Sequence, residues 1–363
     1  MARKKKFSPI LAILTALFML ILGAIGGMTA YLQLDSEPSD IIVSGDLEIH
    51  FLELGNKYTG DCTYINAGGI DILIDAGSKT SSIPTITAYL DQYVTDGILE
   101  YVIVTHAHQD HYAGFATSEK QESLFDIYEC EVIIDFAQTN QKETSTMYSN
   151  YIRERDAEIA NGATHYTAYD CMTLGNNIFD LGNTIELEIL DSYYYYHKDS
   201  SGENNHSVCC IINQGEQHFL FTGDLEEKGE EKLVELNDLP EVTLYKAGHH
   251  GSKTSSTETL LSIIKPQIVC VCCCAGSSEY TDNNSNQFPT QDFVDRIAPY
   301  TDLVYVTTLC TDYQNDQYTS MNGNIKVTSN ASGVYVECSN VDTILKKWDW
   351  FRENRTCPIA WQE

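Results

Sequence analysis

The stretch Val104–Phe115 reads VTHAHQDHYAGF and places three histidines and an aspartate within six positions. The chain has 10 histidines in 363 residues, so chance is a poor account of this crowding. Imidazole and carboxylate together suit zinc, manganese or iron. His106 and His108 stand at alternate positions of a loop and can converge on one ion; Asp110 and His111 can face a second. Four other segments agree with a metal reading. In LIDAG (Leu73–Gly77), Asp75 sits at a strand end, where it can orient a ligand histidine. In FTGD (Phe221–Asp224), Asp224 follows Gly223 and can bridge two ions. AGHHGSKTSS (Ala247–Ser256) adds His249 and His250, and ENNHSV (Glu203–Val208) adds Asn205 and His206. Such ions lower the pKa of a bound water toward ~7 and stabilise charge on a phosphoryl or carbonyl oxygen, so the chemistry is hydrolysis. Asp110 or Asp224 can take the water's proton, and Ser252, Lys253 and Thr254 can donate hydrogen bonds to a phosphate.

Sheets must bring these segments together, because the clusters follow β-like runs. YVIVT (Tyr101–Thr105) leads straight into the first histidines, and EVTLYKAG (Glu241–Gly248) into the tandem pair. Further strands are expected at Leu47–Leu54, Tyr64–Gly68, Ile70–Gly77, Glu131–Phe136, Thr184–Leu190, Ile268–Cys273, Leu303–Thr307, Asn324–Ser329 and Val334–Cys338. Ser207–Asp224 reads as a hairpin around Gln214 and Gly215. Helices are expected at Ile83–Val94, Glu143–Ile159, after Asp224, at Ser256–Pro266 and at Gln291–Ile297. YYYYHKD (Tyr193–Asp199) reads as a tyrosine-rich loop. Strands in two long sets, each mixed with helices, predict two sheets with helices outside.

Net charge is −30, from 22 basic and 52 acidic side chains, which repels bulk polyanions unless a local positive site outweighs it. The N-terminus differs from the rest. Arg3, Lys4, Lys5 and Lys6 precede an uncharged stretch, Phe7–Leu34, and Asp35, Glu37 and Asp40 follow it. Its apolar centre exceeds the ~20 residues that span a bilayer and is longer than the ~7–15 of a cleaved signal peptide. The expectation is one membrane helix within 1–34, a linker over 35–45, a hydrolase domain over 46–338 outside the cytoplasm, and a tail over 339–363. Signal cleavage would instead release the domain. The 12 cysteines include VCVCCCAG (Val269–Gly276) in a strand-like run, where alternating faces make small buried hydrophobes rather than a zinc cage.

H-x-H-x-D-H, the preceding IDAG, TGD and HHGS together resemble the metallo-β-lactamase fold superfamily of metallohydrolases. Within it, NNHSV, FLFTGDLE, YKAGHHGSKTSS and IIKP look most like the ComEC-type competence hydrolases, over roughly Leu47 to Ser329. That resemblance implies a four-layer αββα sandwich of the α+β class and a two-metal site, with zinc or manganese. His106 and His108 would bind the first metal, and Asp110 and His111 the second. Asp224 would bridge and His250 complete the second site, with His249 left as a catalytic or phosphate-contacting residue. Asp75, Asn205, His206, Ser252 and Lys253 would support ligands or substrate. Two departures stand out: the extra ligand histidine of many members is absent unless His206 serves, and a segment that ends in His-Pro in relatives reads NQFPT, with Phe288 before Pro289.

The implied protein is a membrane-anchored phosphodiesterase or nuclease acting on single-stranded DNA, or on a small or cell-wall phosphodiester in the manner of choline-phosphate esterases. β-Lactam or amide hydrolysis, and a non-catalytic metal-binding module, are the competing readings.

Overall fold

The computed structural model describes residues 46–117 and 121–362. The expected membrane helix lies outside them; among the described residues no helix is long and apolar enough to cross a membrane.

Two eight-stranded sheets carry the fold. The first runs β16 (Gly333–Cys338), β15 (Ile325–Asn330), β1 (Leu47–Phe51), β2 (Asp61–Ala67), β3 (Ile70–Gly77), β4 (Ile98–Val104), β5 (Glu129–Asp135) and β6 (Thr164–Thr167). The second runs β14 (Gln317–Ser320), β13 (Val304–Asp312), β12 (Ile268–Ala275), β11 (Leu244–Lys246), β10 (Gln217–Phe221), β9 (Cys210–Gln214), β8 (Ile185–Ile189) and β7 (Ile178–Asp180). Both sheets follow one plan. β1, β2 and β3 pair antiparallel and β3 through β6 parallel; β8, β9 and β10 pair antiparallel and β10 through β13 parallel.

Alternation along the strands sorts side chains between layers. Phe219 and Phe221 join the core between the sheets, while Leu220 between them joins a second core under the outer helices. Phe51 and Phe221 meet across the sheets at 6.4 Å between ring centroids. The cysteine-rich strand obeys the same rule: Cys270 and Cys272 face the first core, Val269, Val271 and Cys273 the second. All twelve cysteines are free thiols. Helices flank both sheets. Ile83–Leu90 buries Ile86 and Leu90 against the first, and Glu258–Ile264 buries Leu260 and Leu261 against the second. This is the helix–sheet–sheet–helix layering the sequence implies.

Most expected elements are present within a few residues of their expected ends. The short edge strands β6, β7 and β14 went unanticipated, because three or four residues carry no readable alternation. Tyr193–Tyr196, expected as loop, makes one helical turn under a Ser192 cap. The segment after 338, expected as a tail, buries Leu345, Phe351 and Trp361 in the second core. Parallel pairing aligns the carboxyl ends of β3, β4, β10, β11 and β12 along one rim, where parallel sheets generally bind ligands.

Candidate metal centre

Asp75 organises the first loop from the end of β3. Its backbone takes φ +60°, strained for a residue with a side chain and common at functional sites. The carboxylate accepts from Thr105 N at 2.8 Å and from Thr105 Oγ1 at 2.8 Å. His111 Nδ1 lies 2.7 Å from Asp75 Oδ2. A carboxylate only accepts, so Nδ1 carries a hydrogen and Nε2 is the atom left facing Asp224. His111 Nε2 is 3.2 Å from Asp224 Oδ2.

The tandem histidines are set by a second strained turn, with φ +47° at His249 and +56° at His250. His250 Nδ1 donates to the Cys272 carbonyl at 2.9 Å, which again frees Nε2. That atom lies 3.3 Å from Asp224 Oδ2 and 3.6 Å from Asp110 Oδ2. His249 stands further out: Nδ1 meets Thr254 Oγ1 at 3.0 Å and Nε2 is 3.9 Å from Asp224. Asp224 itself depends on Gly223, which has φ +54°, and whose missing Cβ would sit 2.8 Å from Ser207 Oγ. His106 and His108 meet at 3.1 Å, Nε2 to Nδ1, and His106 Nε2 is 4.0 Å from Asp224 Oδ2.

Two residues that no spacing signalled complete the cluster. Asp61 opens β2, with Oδ1 3.2 Å from His250 Nδ1 and Oδ2 3.7 Å from His111 Nδ1. Lys246, buried at the end of β11, is ion-paired with Asp61 and lies 4.0 Å from Asp224 Oδ1. Their only trace in the sequence is a charged residue at each of two strand ends.

The electrostatics call for positive charge in the gap. Burial pulls His111 and His250 down, but Asp224, with Asp75 and Asp61, outweighs it and holds both well above the imidazole range. Burial raises Asp224 and Asp110, and the surrounding histidines more than reverse this. His106 is pushed well below its usual value by burial and by His111. Asp61 Oδ1, His111 Nε2, Asp224 Oδ1 and His250 Nε2 are buried without a hydrogen-bond partner. His111 and His250 thus hold protons against the facing carboxylates, and a shared cation can take the place of those protons. Asp61, His111, Asp224 and His250 bring one ligand atom each within 4.8 Å of one another, a candidate metal-binding site.

Other expected residues lie elsewhere. His206 Nε2 accepts from Asp199 N at 2.9 Å, so the ring turns away from the centre. Ser207 takes the near side, with Oγ 3.4 Å from His106 Nδ1, and accepts from Asp224 N at 3.1 Å. Asn205 ties loops together through Asp199 Oδ2 and Glu226 N. Ser252 Oγ accepts from Thr254 N, and exposed Lys253 donates to Asn286 Oδ1 at 3.1 Å. The structure therefore brings Asp75 to the cluster but neither His206 nor Lys253.

Glu230 fastens the histidine loop from behind. Its carboxylate accepts from Ser256 N, Thr257 N and Thr257 Oγ1. Burial pushes its pKa up to about 7 against those hydrogen bonds. A raised folded pKa means the native state holds the proton more tightly, so stability declines as pH rises from about 4.5 to about 7. In urea melts from pH 5 to pH 8, Glu230→Gln is expected to gain on the wild type by up to about 3 kcal/mol. A constant difference between the two would sink this.

The metallo-beta-lactamase superfamily profile matches residues 55–155 and 197–275. Recombination protein 2 of Haemophilus influenzae is 31% identical over 98 residues, which is 27% of this chain and 11% of that protein. The chain thus spans about a tenth of that relative. Among solved structures, the metallo-beta-lactamase fold protein YhfI from Bacillus subtilis has TM-score 0.43 at 9% identity, over 72% of this chain and 95% of that one. Human tRNase Z, short form, has TM-score 0.34 at 13% identity, over 75% and 98%. The profile match spans the strand ends that supply His106, His108, Asp110, His111, Asp224 and His250. This chain carries a metallo-beta-lactamase superfamily domain, of the metal-dependent hydrolase family.

Proposed function

We propose that the domain is a metal-dependent phosphodiesterase. The observation that carries this reading is the convergence of His111 Nε2 and His250 Nε2 on Asp224, which lines an open cleft of about 370 Å³. His106 and His108 would hold a first divalent ion and Asp110, His111 and His250 a second, with Asp224 between; zinc suits this donor set, and manganese is the alternative. Such ions supply positive charge and an acidified water. The chain's own groups do the rest. Asp75 and the Cys272 carbonyl keep His111 and His250 in the tautomer with Nε2 inward. Asp110 and Asp224 line the cleft as carboxylates able to take a proton. His249, fixed at Nδ1 by Thr254, turns its other nitrogen toward the cleft, where it can donate to a phosphoryl oxygen.

The phosphodiester class is supported by the ComEC-like motifs and the partial similarity to Recombination protein 2. A small or cell-wall diester fits better than a DNA strand. Among the described residues, Lys79 is the one lysine or arginine lining the cleft, and it lies 3.5 Å from Glu279. The basic stub and apolar stretch before Asp35 support a membrane-anchored domain outside the cytoplasm.

The test uses residues 40–363 purified without chelator. Metal per chain and hydrolysis of bis-p-nitrophenyl phosphate are measured on one sample, with His108→Ala as control. About two ions and turnover lost in the variant are expected; no bound metal sinks the reading. Zinc at 100 times its Kd is expected to stabilise the chelator-treated domain by about 2.7 kcal/mol, read as a rise in Tm.

A further inference from the structure

One side of the cleft mouth is aromatic. Tyr280 and Phe288 come from the segment after β12, and their ring centroids are 5.8 Å apart. Phe288 lies 5.8 Å from the rings of both His249 and His250, so the pair extends the histidine surface outward. Tyr280 is 56% exposed, yet its hydroxyl donates to Asp110 Oδ2 at 2.7 Å. A bare ring face therefore stands over the cleft while its polar end reaches the reacting groups. The segment is braced from behind. Buried Arg355 donates to the Pro289 carbonyl at 2.9 Å, to the Gln287 carbonyl at 2.6 Å and to Asn284 Oδ1 at 2.8 Å. Gly276 N donates to the Phe288 carbonyl at 2.9 Å. Rigid aromatic side chains offer a flat contact surface at low entropic cost. The charge pattern limits what enters: Asp110, Asp224 and Glu279 line the cleft beside Lys79, which is already paired with Glu279. A phosphate chain needs a row of cations to follow, and among the described residues the lining offers Lys79 alone.

We propose that Tyr280 and Phe288 set specificity by stacking on a planar ring in the ester group that remains on phosphorus, in a small ring-bearing phosphodiester taken singly. The inference rests on the phosphodiesterase reading above.

The test compares thymidine 5′-(p-nitrophenyl) phosphate with methyl p-nitrophenyl phosphate on the metal-loaded domain. Both release the same phenolate, so leaving-group reactivity cancels. The wild type is expected to favour the nucleoside ester by about tenfold or more in kcat/KM, the scale of one base stacked on an aromatic ring. Tyr280→Leu, changing an exposed side chain, and Phe288→Leu should each cut that preference at least about threefold. Metal per chain should match the wild type in both. No preference in the wild type, or full preference in both variants, overturns the stacking wall while leaving phosphodiesterase activity standing. An equal fall on both esters together with lost metal marks a structural role and also overturns it. Turnover of neither ester by the wild type removes the phosphodiesterase reading, and this proposal with it.

Discussion

Asp224→Asn is expected to lose bound metal and to cut turnover on an activated phosphodiester by about a hundredfold to a thousandfold. Asp224 Oδ2 lies 3.2 Å from His111 Nε2, 3.3 Å from His250 Nε2, 3.9 Å from His249 Nε2 and 4.0 Å from His106 Nε2. It therefore touches the histidines of both loops, one from each sheet. Asparagine keeps the shape and removes the charge. His111 and His250 then lose the largest attraction that offsets their burial. Asparagine leaves the buried histidines without their partner charge, so in chelator the variant's Tm should fall below that of the wild type. A native circular dichroism spectrum below that Tm separates loss of the centre from loss of structure. A variant with full metal content and full turnover would falsify the assignment of Asp224.

Truncation after Cys338 is expected to leave a chain that does not fold. The deleted segment places Leu345, Phe351 and Trp361 in the second core, each almost wholly buried. Deleting a buried leucine typically costs 2–5 kcal/mol and a buried phenylalanine or tryptophan about 3–5. Their sum, roughly 8–15 kcal/mol, is comparable with the whole stability of a domain, about 5–15 kcal/mol. The cut also removes Arg355 and its hydrogen bonds to Asn284, Gln287 and Pro289. Circular dichroism and urea melts of residues 40–338 against 40–363 read the outcome. A truncated domain with a native spectrum and a cooperative transition would show that this segment is dispensable.

Much of the centre was legible because its ligands stand in short runs after apolar strands. A strand end fixes where the next few side chains go, so H-x-H-x-D-H, TGD and HHGS announce their roles locally. Asp75 was legible for the same reason, as the last charged residue of a strand beside the histidine loop. Asp61, Lys246 and Tyr280 were not. Asp61 and Lys246 meet only because β2 and β11 belong to facing sheets, and an ion pair between residues 185 positions apart leaves no spacing to read. Tyr280 reaches Asp110 from a segment rich in Asn and Ser that resembles any surface loop. His206 shows the opposite failure: its residue type and place in the chain suit a ligand, but a hydrogen bond from Asp199 N turns the ring away.

The sequence by itself determined the layered class of the fold, the strands, the histidine loops and the hydrolytic family, because periodic apolar runs and short ligand motifs are local properties. Only the tertiary structure decided that His250 rather than His249 faces Asp224 most closely, since both follow the same strand and differ in the partner of Nδ1. It alone joined the last segment to the core, through side chains whose burial depends on residues far away in the chain. It alone aimed Tyr280 and Phe288 at the cleft, because a loop's direction is set by what it packs against: here Arg355 and the ends of two sheets.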